Sequence, residues 1–187
     1  RAGHDPGRKI TTLHESSPMK PSRYVAAAAA ALAIGVGAFL TFQSVGTRET
    51  APDVAYTLLD GSSSRTAQLR GKVVLVNFWA TSCTTCVKEM PHIVETYEKF
   101  KSRGYDTLAV AMSYDPPAYV ANFAQTRKLP FGVAIDNTGA IARSFGEVRL
   151  TPTSVLINKR GEIVKRYVGE PDFAALHALV EKLLAET

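Results

Sequence analysis

The chain has 187 residues, 45% hydrophobic and 21% charged, which excludes disordered and collagen-like classes and leaves room for one ordinary domain plus a short segment. Its 22 Lys and Arg against 17 Asp and Glu give +5, but +3 of that sits in residues 1–23, and residues 47–187 carry 17 positive against 15 negative charges. A net +2 mixed through a domain makes no basic face, so nucleic-acid binding is excluded as well.

In chain order, residues 1–23 form an N-terminal segment in which Met19-Lys20-Pro21-Ser22-Arg23 has the make-up of a basic n-region, and residues 1–18 are expected to lie upstream of the translated chain. Tyr24 to Phe42 is a run of 19 residues without a charge, Asn, Gln or Pro, eight of them Ala. As a helix it would extend roughly 28 Å, close to the ~30 Å hydrocarbon core of a bilayer. Lys20 and Arg23 precede it and the first charge beyond is Arg48, so the positive-inside rule puts the N-terminus in the cytoplasm and everything after Phe42 outside. A cleaved signal would need a small-x-small site, and only Ser44-Val45-Gly46 offers one. An uncleaved anchor over 24–42 is the preferred reading, and both readings export the rest. Residues 43–52 read as a polar linker and 53–187 as the exported domain.

Within that domain Val54–Leu59 and Val73–Phe78 read as strands, the second a continuous apolar run suited to a sheet buried on both faces. Asp60-Gly61-Ser62-Ser63-Ser64 between them has turn chemistry. A helix is predicted from just after Cys83 to about Arg103, with Val87, Met90, Val94, Tyr97 and Phe100 at helical spacing, a kink at Pro91 and Gly104 at its end. Thr107–Met112 is a strand, Ala118–Arg127 a helix, Gly132–Ile135 a strand and Gly139–Phe145 a short helix. Ser154–Ile157 and Ile163–Val168 flank the hairpin signal Asn158-Lys159-Arg160-Gly161. Asp172 is placed to cap a last amphipathic helix to Ala185, with Phe173, Leu176, Leu179, Val180 and Leu183 on one face. The order β-β-α-β-α-β-α-β-β-α predicts an α/β fold: a mixed central sheet flanked by helices, its parallel strands ending in an antiparallel hairpin.

The chain's two cysteines form Cys83-Thr84-Thr85-Cys86 directly after a buried strand and at the opening of a helix. A disulfide closing so short a loop is a poor structural staple. At a helix start, however, the first sulfur meets unpaired backbone N–H groups and the positive helix end, which favour thiolate over thiol. Cysteines so placed have pKa values of about 3.5–7.5. The second sulfur lies one helical turn on and less exposed, suited to resolving a mixed disulfide intramolecularly. Zinc wants four ligands. No second C-x-x-C exists, and His92 and His177 are the stray candidates, so no metal site is expected.

Several motifs converge here: Gly71-Lys72-Val73-Val74-Leu75-Val76-Asn77-Phe78-Trp79-Ala80-Thr81 leading into the cysteine pair, then Glu89 and Pro91, then Thr151-Pro152-Thr153 before the hairpin. Over roughly Val54 to Leu184 they resemble the thioredoxin superfamily, and within it the membrane-anchored TlpA/ResA-like thiol–disulfide oxidoreductases of bacteria. The resemblance implies a thioredoxin-like fold with Cys83 as nucleophile and Cys86 as resolving cysteine. It implies a cis peptide at Pro152 lying against the disulfide, and Thr151 offering backbone to the substrate. It makes Glu89 a proton relay for Cys86, and Trp79 is read as wall and core of the site, with Trp79, Thr151 and Pro152 the residues that meet substrate. Asn77 stands where cytoplasmic thioredoxins have a buried Asp, and Ser82 where most relatives have a Trp.

The resemblance further implies no cofactor beyond the redox-active disulfide, and protein thiols or disulfides as substrates. It implies a transmembrane thiol reductase as electron donor and a catalytic domain on the periplasmic side of the bacterial inner membrane. Reduction during cytochrome or oxidase maturation is the expected task. Two alternatives share the fold. A copper chaperone of the Sco type uses three residues between its cysteines and a distal His, and a thiol peroxidase places its reactive cysteine in a different context.

Overall fold

A computed structural model describes residues 48–186; the segment 1–23, the predicted anchor 24–42 and the first part of the predicted linker, residues 43–47, lie outside the described residues. Five strands form one mixed sheet in the order β5-β4-β3-β6-β7. They are β3 (Val73–Trp79), β4 (Tyr105–Ala111), β5 (Gly132–Ile135), β6 (Thr153–Ile157) and β7 (Ile163–Val168). β3, β4 and β5 run parallel, while β6 pairs antiparallel with β3 and β7 antiparallel with β6. The helices are α1 (Thr84–Phe100), α2 (Pro117–Thr126), α3 (Ala140–Ser144) and α4 (Phe173–Ala185). Among the described residues no helix is long and apolar enough to cross a membrane.

All seven residues of β3 are buried, because it is central and both its faces are covered. Side chains alternate across a strand. Val73, Leu75 and Trp79 therefore join Met90, Ile93 and Phe100 of α1 and Leu176, Val180 and Leu183 of α4. Val74, Val76 and Phe78 join Ile141 and Ala142 of α3, and Phe145. Burying each such aliphatic or aromatic side chain contributes roughly 1.5–3 kcal/mol. Asn77 shares the parity of Val73 and Leu75, so its amide points into the face covered by α1.

The structure differs from the sequence expectations in three places. Residues read as a turn supply a further strand, β2 (Ser63–Arg65), which pairs with β1 (Ala55–Thr57). β1 buries Tyr56, but β2 is Ser-Ser-Arg and largely exposed, so its sequence carries no apolar alternation. The predicted strand Val54–Leu59 shrinks accordingly, with Leu58 making an isolated bridge to Ala134.

The buried stripe of α1 is Cys86, Glu89, Met90, Ile93, Thr96 and Phe100, rotated from the apolar series predicted for it. Two polar residues can lie in it because Glu89 meets Asn77 and Thr96 meets His177 inside. Val87 and Val94 instead line a groove shared with Phe123 of α2. The helix continues through Pro91, passes into a short 3-10 turn (Lys101–Arg103) and stops at Gly104, whose φ of 92° only glycine adopts freely.

The end of the predicted linker is pinned to the domain. Thr50 bridges Glu162, Ile163 donates its N–H to the Glu49 carbonyl at 2.7 Å, and Ala51 donates to the Gly161 carbonyl at 2.8 Å. Asp172 caps α4 as predicted, accepting from the Ala175 N–H at 3.0 Å.

Candidate active site

The carboxyl end of β3 delivers Cys83 to the N-cap of α1 with extended backbone, φ −88° and ψ 104°. Its Sγ accepts from the Cys86 N–H at 3.1 Å and its carbonyl accepts from Val87 at 3.0 Å. The helix therefore opens on the first sulfur. Cys83 and Cys86 form a disulfide with S–S 2.16 Å and Cα atoms 5.2 Å apart. Their surroundings are unequal: Cys83 is half-buried with exposed Ser82, Thr84 and Thr85 around it, whereas Cys86 has no exposed surface. A partner can reach only the first sulfur.

Beneath the pair, one turn along α1 from Cys86, lies Glu89, also fully buried. Its Oε1 accepts from Asn77 Nδ2 at 3.0 Å, and that amide also donates to Ser154 Oγ at 3.0 Å. Glu89 Oε2 and Asn77 Oδ1 find no partner among the described residues. Burial pushes the Glu89 carboxyl up to about 7, with the Asn77 hydrogen bond opposing and the Glu170 charge adding to the rise. A carboxyl poised there can take and return a proton near neutrality.

The antiparallel pairing of β6 with β3 sets Thr153 opposite Phe78, which brings Thr151 and Pro152 to the same sheet end as Cys83. The Thr151–Pro152 peptide is cis. Pro152 is buried and Thr151 half-buried, with Thr151 Oγ1 3.3 Å from the Tyr114 hydroxyl. Among the described residues no hydrogen bond engages the Thr151 backbone N–H or C=O.

Trp79 lies in the core as expected but not in contact with substrate, which corrects the substrate-binding expectation for it. It has no exposed surface, and its ring packs 5.1 Å from that of Phe123 in the cluster that holds Cys86. The indole backs the site from inside because position 79 has the parity of Val73 and Leu75. His92 lies on the surface against the Phe173 ring at 5.0 Å, and His177 bonds Thr96 at 2.8 Å. Among the described residues no three His, Cys, Asp or Glu side chains gather as metal ligands.

Sequence reasoning missed Asp115. Its carboxylate, 2% exposed, accepts from the Thr81 backbone N–H at 2.6 Å and the Thr81 hydroxyl at 2.5 Å, tying down the loop that presents Cys83. The only signal was an acidic residue before Pro116-Pro117 just past a strand, and its partner lies 34 positions away.

Comparison with known proteins agrees with this geometry. The Redoxin family matches residues 46–180. The thiol-disulfide oxidoreductase ResA of Bacillus thuringiensis is 35% identical over 156 residues, covering 80% of this chain and 89% of that protein. Its Bacillus cereus counterpart is 37% identical over 133 residues, covering 71% and 76%. Among solved structures, a Neisseria meningitidis protein classed as a thioredoxin superposes with a TM-score of 0.70 at 41% identity, covering 75% of this chain and 93% of its own. A thiol:disulfide interchange protein of the thioredoxin family from Chlorobium tepidum gives 0.69 at 28%, covering 75% and 99%.

Proposed function

Because the chain belongs to the TlpA/ResA-like thiol–disulfide oxidoreductases of the thioredoxin superfamily, we propose that Cys83 and Cys86 are its redox pair and that it reduces protein disulfides outside the cytoplasmic membrane. The observation that carries this reading is the unequal exposure of the two sulfurs at a helix N-terminus, with the accessible one at the cap.

In the reduced enzyme the Cys83 thiolate, favoured by the helix end and the Cys86 N–H, attacks one sulfur of a partner disulfide. The partner's other sulfur leaves as a thiolate and takes a proton from water. Cys86 then gives its proton to the Glu89 carboxylate and attacks Cys83 Sγ, and the partner's second sulfur leaves as a thiolate that takes a proton from water. Two electrons have passed to the partner, and Cys83–Cys86 is oxidised. Glu89 returns that proton to Cys86 when the pair is reduced again. Thr151 offers its unengaged backbone N–H and C=O to the partner chain, next to Pro152.

The apolar run 24–42 with Lys20 and Arg23 before it supports a single anchor in the bacterial inner membrane and a catalytic domain on the periplasmic side. A reductant in an oxidising compartment must be recharged, and a transmembrane thiol reductase is the donor this reading requires. Its substrates are disulfides of proteins undergoing cytochrome or oxidase maturation. Trapping tests the roles. Full-length Cys86→Ser accumulates a covalent partner adduct that reductant releases, and Cys83→Ser does not; equal trapping by Cys83→Ser would reverse the assignment.

A further inference from the structure

Asn77, Glu89 and Ser154 meet in one sealed place beneath the cysteine pair, none of them more than 1% exposed. β3 supplies the first, α1 the second and β6 the third, in the strand register that sets Asn77 opposite Ser154. Asn77 Nδ2 donates to Glu89 Oε1 and to Ser154 Oγ, each at 3.0 Å. An amide nitrogen has two hydrogens, so both are engaged and the amide cannot turn over without losing both bonds. Its Oδ1 has no partner among the described residues, and neither has Glu89 Oε2.

Each of these buried acceptors costs free energy while it lacks a donor. They belong to two groups already joined by a hydrogen bond, and a single proton between them would satisfy both. Glu89 receives such a proton in the relay, from Cys86 one turn back on α1. Asn suits this place because one planar end of its side chain carries a donor and an acceptor; Leu would offer neither, and an ionised Asp no donor. Among the described residues β3 and β6 present Glu89 with neutral hydrogen-bonding groups, Asn77 and Ser154. The charge that reaches it from another element is that of Glu170, ahead of α4, which is tied to Lys88 Nζ at 3.0 Å.

We infer that Asn77 is the positioning residue of the relay: its N–H holds Glu89 Oε1 in both protonation states, and its Oδ1 accepts a hydrogen bond from Oε2–H once Cys86 has delivered its proton. The inference rests on the redox reading of Cys83 and Cys86 and adds the group that holds the relay carboxyl in place. The proton leaves the Cys86 thiol, rests on Oε2 against Oδ1, and goes back to Cys86 when the pair is reduced. Asn77 itself neither gains nor loses one, and Ser154 keeps its amide facing the right way.

The test uses full-length protein and a symmetric chromogenic aryl disulfide. One coloured thiolate is released as Cys83 attacks and a second as Cys86 resolves, so stopped flow separates the two steps. Asn77→Leu, close to Asn in size, slows the second step about tenfold, as loss of a hydrogen bond to a charged group allows, and leaves the first unchanged. In a Glu89→Gln background it slows neither, because Asn77 acts only through the carboxyl. Ser154→Ala, which frees the amide to turn, slows the second step severalfold and stands in for Asn77→Leu in every comparison should that variant fail to fold. Infrared spectra of the oxidised protein locate the proton on the acid side of the Glu89 titration. The C=O band of the protonated carboxyl, identified by its loss in Glu89→Gln, lies at the low-frequency end that two hydrogen bonds produce, and Asn77→Leu moves it to the high end. Equal slowing of both steps, undiminished slowing in the Glu89→Gln background, or a band that Asn77→Leu does not move would overturn the inference while leaving the redox reading in place. If the reduced wild type releases no thiolate from the disulfide, the redox reading falls and the inference with it.

Discussion

Replacing Glu89 by Gln separates the proton from the shape of the side chain. The amide oxygen of Gln can still accept from Asn77 Nδ2, but nothing at position 89 titrates. In the wild type the carboxyl moves from 4.5 in the unfolded chain to about 7 in the folded one, chiefly through burial. Below pH 4.5 both states hold the proton and the site costs nothing extra. Between 4.5 and about 7 the native state keeps a proton that the unfolded chain has lost, so this contribution to stability declines as pH rises. Above that window both states are ionised and the deficit is complete. At ~1.4 kcal/mol per pH unit the shift amounts to roughly 3 kcal/mol.

The assay is urea unfolding of the oxidised protein, followed by the fluorescence of Trp79, the chain's single tryptophan and fully buried. Wild type and Glu89→Gln should have nearly equal unfolding free energies at about pH 4 and separate through the window, with the variant more stable by about 3 kcal/mol at pH 8–9. Other titrating groups are common to both proteins and cancel in the difference. A gap that does not change with pH, or a wild type that gains on the variant as pH rises, would refute the idea that a buried carboxyl waits under the disulfide.

The same substitution should slow resolution of a Cys83 mixed disulfide about a hundredfold near neutrality and flatten its pH dependence, as stopped-flow release of a chromogenic thiol would register. Asp115→Ala strands the Thr81 N–H and hydroxyl and should cost about 3 kcal/mol in urea unfolding. It should also slow formation of the mixed disulfide by loosening the loop before Cys83. Asp172→Ala removes the α4 cap and should cost about 1 kcal/mol with no change in exchange rate. A drop in exchange there would mean that α4 is coupled to the site in a way its position does not explain.

What was legible in the sequence followed from local physics. The unbroken apolar run of β3 marks a strand covered on both faces, and a cysteine pair at its exit falls at a helix start by necessity. Glu89 was legible through the family resemblance and its place three residues after Cys86, not from its own surroundings. Its burial depends on Asn77 and Ser154, which two other strands supply. The core place of Trp79 was legible from its parity with Val73 and Leu75, and the same parity turns it away from substrate. Nothing local marks Ser63–Arg65 as a strand, because an exposed hairpin leaves no apolar trace. The anchoring of Thr81 by Asp115 was illegible for a different reason: it joins loops that only the parallel pairing of β3 with β4 brings together.

The short pairing of Glu49–Ala51 with the start of β7 bears on how shortened versions of this protein will behave. β7 is one of the two outer strands of the sheet, and an open outer strand offers its N–H and C=O groups to a second molecule. Lys165 and Arg166 deter such pairing along its middle, and the stretch before Ala51 shields Glu162 and Ile163. A truncation beginning at Arg48 keeps that shield. One beginning at Pro52 discards it, along with the Glu49–Arg166 ion pair, and should show itself as self-association and aggregation rather than as lost redox chemistry.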